Sequence, residues 1–290
     1  MTYNRLSADK ARYWRSLDNS RIQCTLCAHA CIIQDGSKGH CSARQNRSGK
    51  MILPFYAWIS SAAIDPIEKK PLRHFMPGTS TYSVGFWNCT MDCPFCQNWE
   101  IAHPQPAYIQ EEIIEPDRLI ELAMASGCPS ISFTYSEPLL HIEYVIEAMQ
   151  IAHSRGLKTI LVTNGNALDE PARHILAHTD AANIDLKTAD PLIYRRLLGG
   201  ELKVVQNFIR VSVQLCHIEI TSLAVPGVLD STAQIEEISS FIASLSQEIP
   251  LHITRYHPAW KYTKAPLSPE TMHEMTESAR KYLKYVYSYW

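Results

Sequence analysis

The chain has 290 residues, 46% of them apolar and 19% charged, with a net charge of −2 and a pI near 6.6. That composition supports a buried core and excludes wholesale disorder, and the balanced charge gives no electrostatic reason to expect nucleic acid as a partner. No apolar run reaches bilayer length and the polar start, MTYNRLSADKARYWRSLD, lacks the apolar core of a signal peptide, so the expected setting is cytoplasmic with no membrane contact.

Residues 1–60 read as an N-terminal Cys-rich module. Cys24, Cys27, Cys31 and Cys41 are spaced CxxC-x3-C-x9-C, with Gly36 and Gly39 easing the turn before the last thiol. Four thiols within eighteen residues, without an export signal, point to a bound metal rather than disulfides. Zinc as a structural staple and an auxiliary iron–sulfur cluster both suit four thiolates, and His29 and His40 could each replace one. Residues 61–81, with the proline-rich DPIEKKPLRHFMPGT, read as a connector.

From residue 82 to 290, short apolar runs alternate with helical stretches. The expected strands are 82–88, 130–135, 158–164, 181–187, 217–225 and 251–256; the expected helices are 116–126, 138–155, 168–178, 190–198, 231–246 and 269–284. Such alternation predicts an α/β fold with a parallel sheet and the active site at the C-terminal ends of the strands. Six units are fewer than the eight of a closed barrel, and a doubly wound open sheet fits the alternation equally well.

The first of these strands runs into NCTMDCPFCQN, in which Cys89, Cys93 and Cys96 are spaced CxxxCxxC. Three thiolates can hold three irons of a cubane and leave the fourth iron open, whereas four protein thiolates are the usual way to close such a cluster. A thioredoxin-type CxxC would have no use for Cys89, and a zinc site would have to borrow a distant fourth ligand. The two remaining cysteines, Cys128 and Cys216, stand alone and read as small buried hydrophobes.

With Phe95 before the last cysteine, this motif resembles the signature of the radical S-adenosylmethionine (SAM) superfamily. The segment AIDPIEKKPLRHFMPGTSTYSVGFWNCTMDCPFCQNWEIAHP, together with CTLCAHACIIQDGSKGHCSARQN (Ala28 standing where the pattern has proline), resembles the radical SAM members of the AmmeMemoRadiSam system, relatives of the pyruvate formate-lyase activating enzyme. The resemblance implies a partial (β/α)6 TIM-like barrel and a [4Fe–4S] cluster on Cys89, Cys93 and Cys96, with SAM chelating the open iron. It also implies reductive cleavage to a 5′-deoxyadenosyl radical, an electron donor such as a flavodoxin or ferredoxin, and Memo-like and AMMECR-like partners.

Further cofactor contacts follow from the resemblance. TYSEP corresponds to a GGE-type motif that meets the methionine amino group, with Glu137 as the charged acceptor; Ser136, where the relatives usually have asparagine, is also suited to cap the helix expected near Pro138. VTNG puts Thr163 and Asn164 at the mouth of the third strand. NIDLK sets Asp185 and Lys187 on one face, either as an internal salt bridge or as holders of the methionine end. Pro226–Gly227 resembles the activators' turn on the adenine side, and TRYHPAW puts Arg255 and His257 on one face, with His257 matching a histidine near the cofactor. The functions to separate are a radical SAM enzyme with an unidentified substrate, a glycyl-radical activase acting on a protein, and a non-catalytic iron–sulfur electron carrier or scaffold.

Overall fold

The computed structural model of the protein describes residues 10–105 and 113–290. Its N-terminal part is made of very short strands. β1 (Trp14–Ser16), β2 (Ile22–Cys24) and β3 (Ile32–Ile33) pair antiparallel, and β4 (Gln45–Arg47) and β5 (Lys50–Ile52) form a hairpin. The hairpin turn, Ser48–Gly49, has φ of 53° and 76°, the two positive angles that match the twist of the flanking strands. Ladders this short need support from elsewhere. Arg44 supplies some of it, because its guanidinium meets both carboxylate oxygens of Glu143 inside the main body.

The main body is one eight-stranded sheet: β6 (Ile59–Pro66), β7 (Ser80–Phe86), β8 (Ser130–Phe133), β9 (Lys158–Thr163), β10 (Ala181–Asp185), β11 (His217–Ala224), β12 (Leu251–Arg255) and β13 (Val286–Tyr289). The strands lie in chain order across the sheet; β7 to β13 run parallel and β6 pairs antiparallel with β7. The helices are α1 (Trp99–Ala102), α2 (Pro116–Ala125), α3 (Ile142–Ser154), α4 (Asp169–Leu176), α5 (Pro191–Ile193), α6 (Leu202–Leu215), α7 (Thr232–Leu245) and α8 (Pro269–Arg280), and most fall in the crossovers between parallel strands. No described helix is long and apolar enough to cross a membrane.

All six expected strands are present, in a mostly parallel sheet. Two more join it. The stretch read as a connector, 61–81, contains most of β6 and the start of β7; β6 has no alternation because it is an edge strand with residues 61–64 exposed. β13 extends the other edge. The helix α6 was also absent from the sequence reading. Five of its residues, Val204, Val205, Ile209, Val211 and Val213, are β-branched and disfavour a helix intrinsically, but Leu202, Val205, Phe208, Ile209 and Ser212 form one buried helical stripe, so tertiary packing decides.

The segment joining β6 to β7 crosses the face of the sheet that carries Ile160, Ala181 and Asn183. Ile67 and Leu72 are fully buried against Ile160 and Ala181. Asn183 donates from Nδ2 to the Pro71 carbonyl (2.9 Å), and the amides of Arg73 and His74 donate to the carboxylate of Glu219 (2.8–3.0 Å). Side chains two apart share a face. Val162 and Thr221, two positions beyond the strap's contacts Ile160 and Glu219, therefore look out past it and, with Asn183, line the cleft described next.

Candidate active site

The cysteine loop begins where β7 ends. Asn88, at φ +73°, turns the chain, and its amide is held by the Ile101 carbonyl (2.8 Å). Several further bonds fix the loop: Asp92 N–H to the Leu198 carbonyl (2.9 Å), Lys261 N–H to the Pro94 carbonyl (3.0 Å), and the Asn164 amide to Thr90 Oγ1 (2.9 Å). Phe95 is buried edge-on against Tyr256 and Tyr262. The thiols of Cys89, Cys93 and Cys96 face a cleft of about 440 Å³ at the C-terminal ends of the parallel strands. Two N–H groups point at Cys89 Sγ, from Met91 (3.4 Å) and Asn164 Nδ2 (3.6 Å).

Burial raises all three thiols, Cys93 to about 11, with Glu137 adding to the rise at Cys89 and Lys187 opposing it at Cys93 and Cys96. Three buried sulfurs of this kind ionise when a bound metal supplies the positive charge. The donor set therefore fits an iron–sulfur cluster.

Glu137 lies beside this loop and is 1% exposed. Its carboxylate accepts from Thr163 Oγ1 (2.6 Å), Asn164 N–H (2.9 Å) and Leu139 N–H (3.1 Å). Burial pushes its pKa up to about 7 against those three donors. Glu137 itself caps the turn Pro138–His141. Ser136 does not cap it, contrary to the alternative reading; its hydroxyl donates to the Asn88 carbonyl and ties the TYSEP loop to the cysteine loop. Asp185 and Lys187 pair with each other at 2.8 Å and both face the cleft. His257 lines it as an exposed side chain.

The structure thus brings Cys89, Cys93, Cys96, Ser136, Glu137, Thr163, Asn164, Asp185, Lys187 and His257 to one cleft, although they come from the ends of five different strands. Sequence reasoning missed Lys69 and Pro71, which wall the cleft from the strap, and Asn183 on its floor. Asn183 was signalled by its position two before Asp185.

The four N-terminal cysteines line a separate small enclosed cavity together with His29, His40 and Arg44. Among the described residues, no three Cys, His, Asp or Glu side chains are drawn in to the spacing of a single bound ion. Burial raises the thiols of Cys24, Cys27 and Cys41, the last to about 11. This module touches two loops of the cleft. His29 and His40 stack at 4.0 Å; His29 Nε2 meets the Thr90 carbonyl (2.8 Å) and His40 Nε2 meets Asp92 (2.9 Å). Leu168 N–H donates to the Leu26 carbonyl (3.0 Å) in the loop that follows Asn164.

A mostly parallel α/β sheet with three thiols and a buried carboxylate facing one cleft at the C-terminal ends of its strands is the layout of an α/β enzyme whose active site lies at that end of the sheet. Residues 87–239 match the Radical SAM superfamily, and the chain is 35% identical over 283 residues to an uncharacterised protein of Methanocaldococcus jannaschii, covering 96% of this chain and 84% of that one. The chain belongs to the radical SAM superfamily and is one of its enzymes; the family's cofactors are a [4Fe–4S] cluster and SAM. It is also 27% identical over 191 residues to the pyruvate formate-lyase-activating enzyme of Clostridium pasteurianum, covering 62% of this chain and 76% of that one. Streptococcus suis SuiB bound to S-adenosylmethionine shares the fold, with a TM-score of 0.56 at 16% identity over 71% of this chain and 51% of that one.

Proposed function

We propose that Cys89, Cys93 and Cys96 ligate a [4Fe–4S] cluster with one open iron, and that SAM fills the adjoining cleft with its amino group at Glu137. The observation that carries this reading is the convergence of the three thiols and the Glu137–Thr163–Asn164 set on a single cleft. When bound, the cluster and SAM supply a 5′-deoxyadenosyl radical by one-electron reduction, and the radical takes a hydrogen atom from a substrate. The chain's part is positioning and shielding. Glu137 accepts the ammonium, the Asp185–Lys187 pair holds the methionine end, Ser136 links two loops of the site, and His257 contributes at the rim. The sheet then acts as a partial (β/α)6 barrel, with the Cys-rich module carrying zinc or an auxiliary cluster on Cys24, Cys27, Cys31 and Cys41.

A second reading, a glycyl-radical activase with a protein substrate, is supported by relatives named as activating enzymes of other enzymes. They include the Clostridium pasteurianum enzyme and the (2S)-3-sulfopropanediol dehydratase activating enzyme of Klebsiella oxytoca, 26% identical over 113 residues. The two long motif matches support membership of the AmmeMemoRadiSam group, with Memo-like and AMMECR-like partners, a flavodoxin or ferredoxin as reductant and a cytoplasmic setting. The test is anaerobic reconstitution with SAM and a strong reductant, assayed for 5′-deoxyadenosine. Its formation, and its loss in Cys89→Ala, is the expected result. An intact cluster that cleaves no SAM, alone or with candidate substrates and partners, would favour the electron-carrier alternative.

A further inference from the structure

The charged groups of the cleft fall into two sets. At the cysteine-loop end, Asp185 and Lys187 are paired with each other at 2.8 Å, and the Glu137 carboxylate is held by Thr163 and Asn164. Arg255 belongs to the other set. It ends β12, five strands from the cysteine loop across the sheet, and it faces the same cleft. Its Nε donates to the Leu267 carbonyl (2.7 Å), which fixes the side chain, and among the described residues neither terminal nitrogen has a partner and no carboxylate pairs with it. The opposite wall repeats the imbalance. Asp65 is shared by Lys69 and Lys70, each at 2.7 Å, so one carboxylate serves two ammonium groups, and Lys69 faces the cleft.

Such a site asks for an anion. SAM has a single carboxylate, which in the function proposed above lies at the open iron, within reach of Lys187. Its adenine and ribose are uncharged, and its sulfonium is a cation that a guanidinium would repel. A half-buried guanidinium held by one backbone bond presents a planar fork suited to a carboxylate or a phosphate. We infer that Arg255 reads the substrate, and that the substrate carries an anionic group, carboxylate or phosphate, which it presents to Arg255 on the side of the cleft away from the cluster. This deepens the proposed radical SAM reading and rests on it.

The test is anaerobic phenylglyoxal labelling of the reconstituted holoenzyme, followed residue by residue by mass spectrometry, with exposed Arg118 as internal reference. Labelling is compared with no addition, with SAM, and with inorganic phosphate or acetate added to the SAM-loaded enzyme. The expected result is that Arg255 is labelled with or without SAM and is saturably protected by one of the two anions. At about ten times that anion's dissociation constant the labelling rate falls by about tenfold, while Arg118 is unaffected. Whichever anion protects at lower concentration identifies the group. Protection by SAM alone would assign Arg255 to the cofactor's own carboxylate and overturn the inference. So would an Arg255 that is never labelled, or one that the anions slow no more than Arg118. Failure of the radical SAM reading appears separately, as absence of 5′-deoxyadenosine from the wild-type holoenzyme.

Discussion

Arg44 and Glu143 form a buried ion pair, in which Arg44 Nη2 meets both carboxylate oxygens at 2.6 and 2.7 Å and the side chains are 1% and 3% exposed, between the N-terminal module and the start of α3. The same carboxylate accepts from the Arg12 amide, and Arg44 Nη1 donates to the Arg12 carbonyl, so one pair fastens two separate stretches of the module. Removing one partner leaves the other buried and uncompensated. Arg44→Ala should therefore cost about 3–5 kcal/mol in urea unfolding, and the N-terminal thiols should react faster with a thiol reagent. An unchanged midpoint would mean that the module is held by other contacts.

Cys93→Ala should abolish the cluster and SAM cleavage while sparing whatever metal the first four cysteines bind, because the two cysteine sets line separate cavities. Elemental analysis for iron, sulfide and zinc on the purified variant decides. Persistent cleavage would sink the ligand assignment.

Glu137→Gln tests the ammonium contact. Burial lifts this carboxyl to about 7, so below that pH it is protonated and offers the ammonium no charge. SAM affinity should rise as pH climbs through about 7 in the wild type and be flat in the variant. At higher pH the variant should bind about 10- to 100-fold more weakly, the equivalent of losing one charge-assisted bond. Equilibrium binding of SAM to the reconstituted cluster, with iron content unchanged, provides the measurement.

Glu219 makes the protein acid-sensitive. Burial alone would raise this carboxyl, but donors from His217, His252 and the amides of Arg73 and His74 outweigh it and hold the pKa at about 2, against an ordinary 4.5. A depressed folded-state value contributes stability that is fully present above about 4.5 and is lost as pH falls toward 2. The shift corresponds to roughly 3 kcal/mol. Unfolding measured between pH 6 and 3 should lose about 2 kcal/mol of this contribution, and Glu219→Gln should remove this part of the pH dependence.

Gly85 leaves no room for a methyl group: a Cβ there would come within 2.3 Å of Ser61 Oγ and 3.0 Å of the Tyr135 carbonyl. Gly85→Ala should push β6 or the TYSEP loop aside and cost about 1–3 kcal/mol. Thermal unfolding together with SAM titration would separate the two displacements, since only the second reaches Glu137.

Much of the cleft was legible in the sequence because its ligands follow local rules. Cysteine spacing and the two-residue period of NIDLK are set within a few residues of one another, whereas TYSEP was picked out by its resemblance to a known motif. What was not legible depends on distant partners. The strap between β6 and β7 reads as proline-rich surface chain, and only Glu219, some 145 residues later, reveals that its amides are received inside the sheet. Likewise, α6 is a helix because its stripe meets the core, against the preference of its valines.

Because edge strand β6 and the strap beneath the cleft are one covalent stretch, the depth to which any molecule can descend between the strands is set from the periphery of the sheet. A residue inserted or removed between Ile67 and Thr79 would raise or lower that stop, and shift Lys69 and Pro71 with it, without altering the groups at the strand ends. Reach and chemistry are thus separately adjustable in this architecture, one by loop length and the other by side-chain identity.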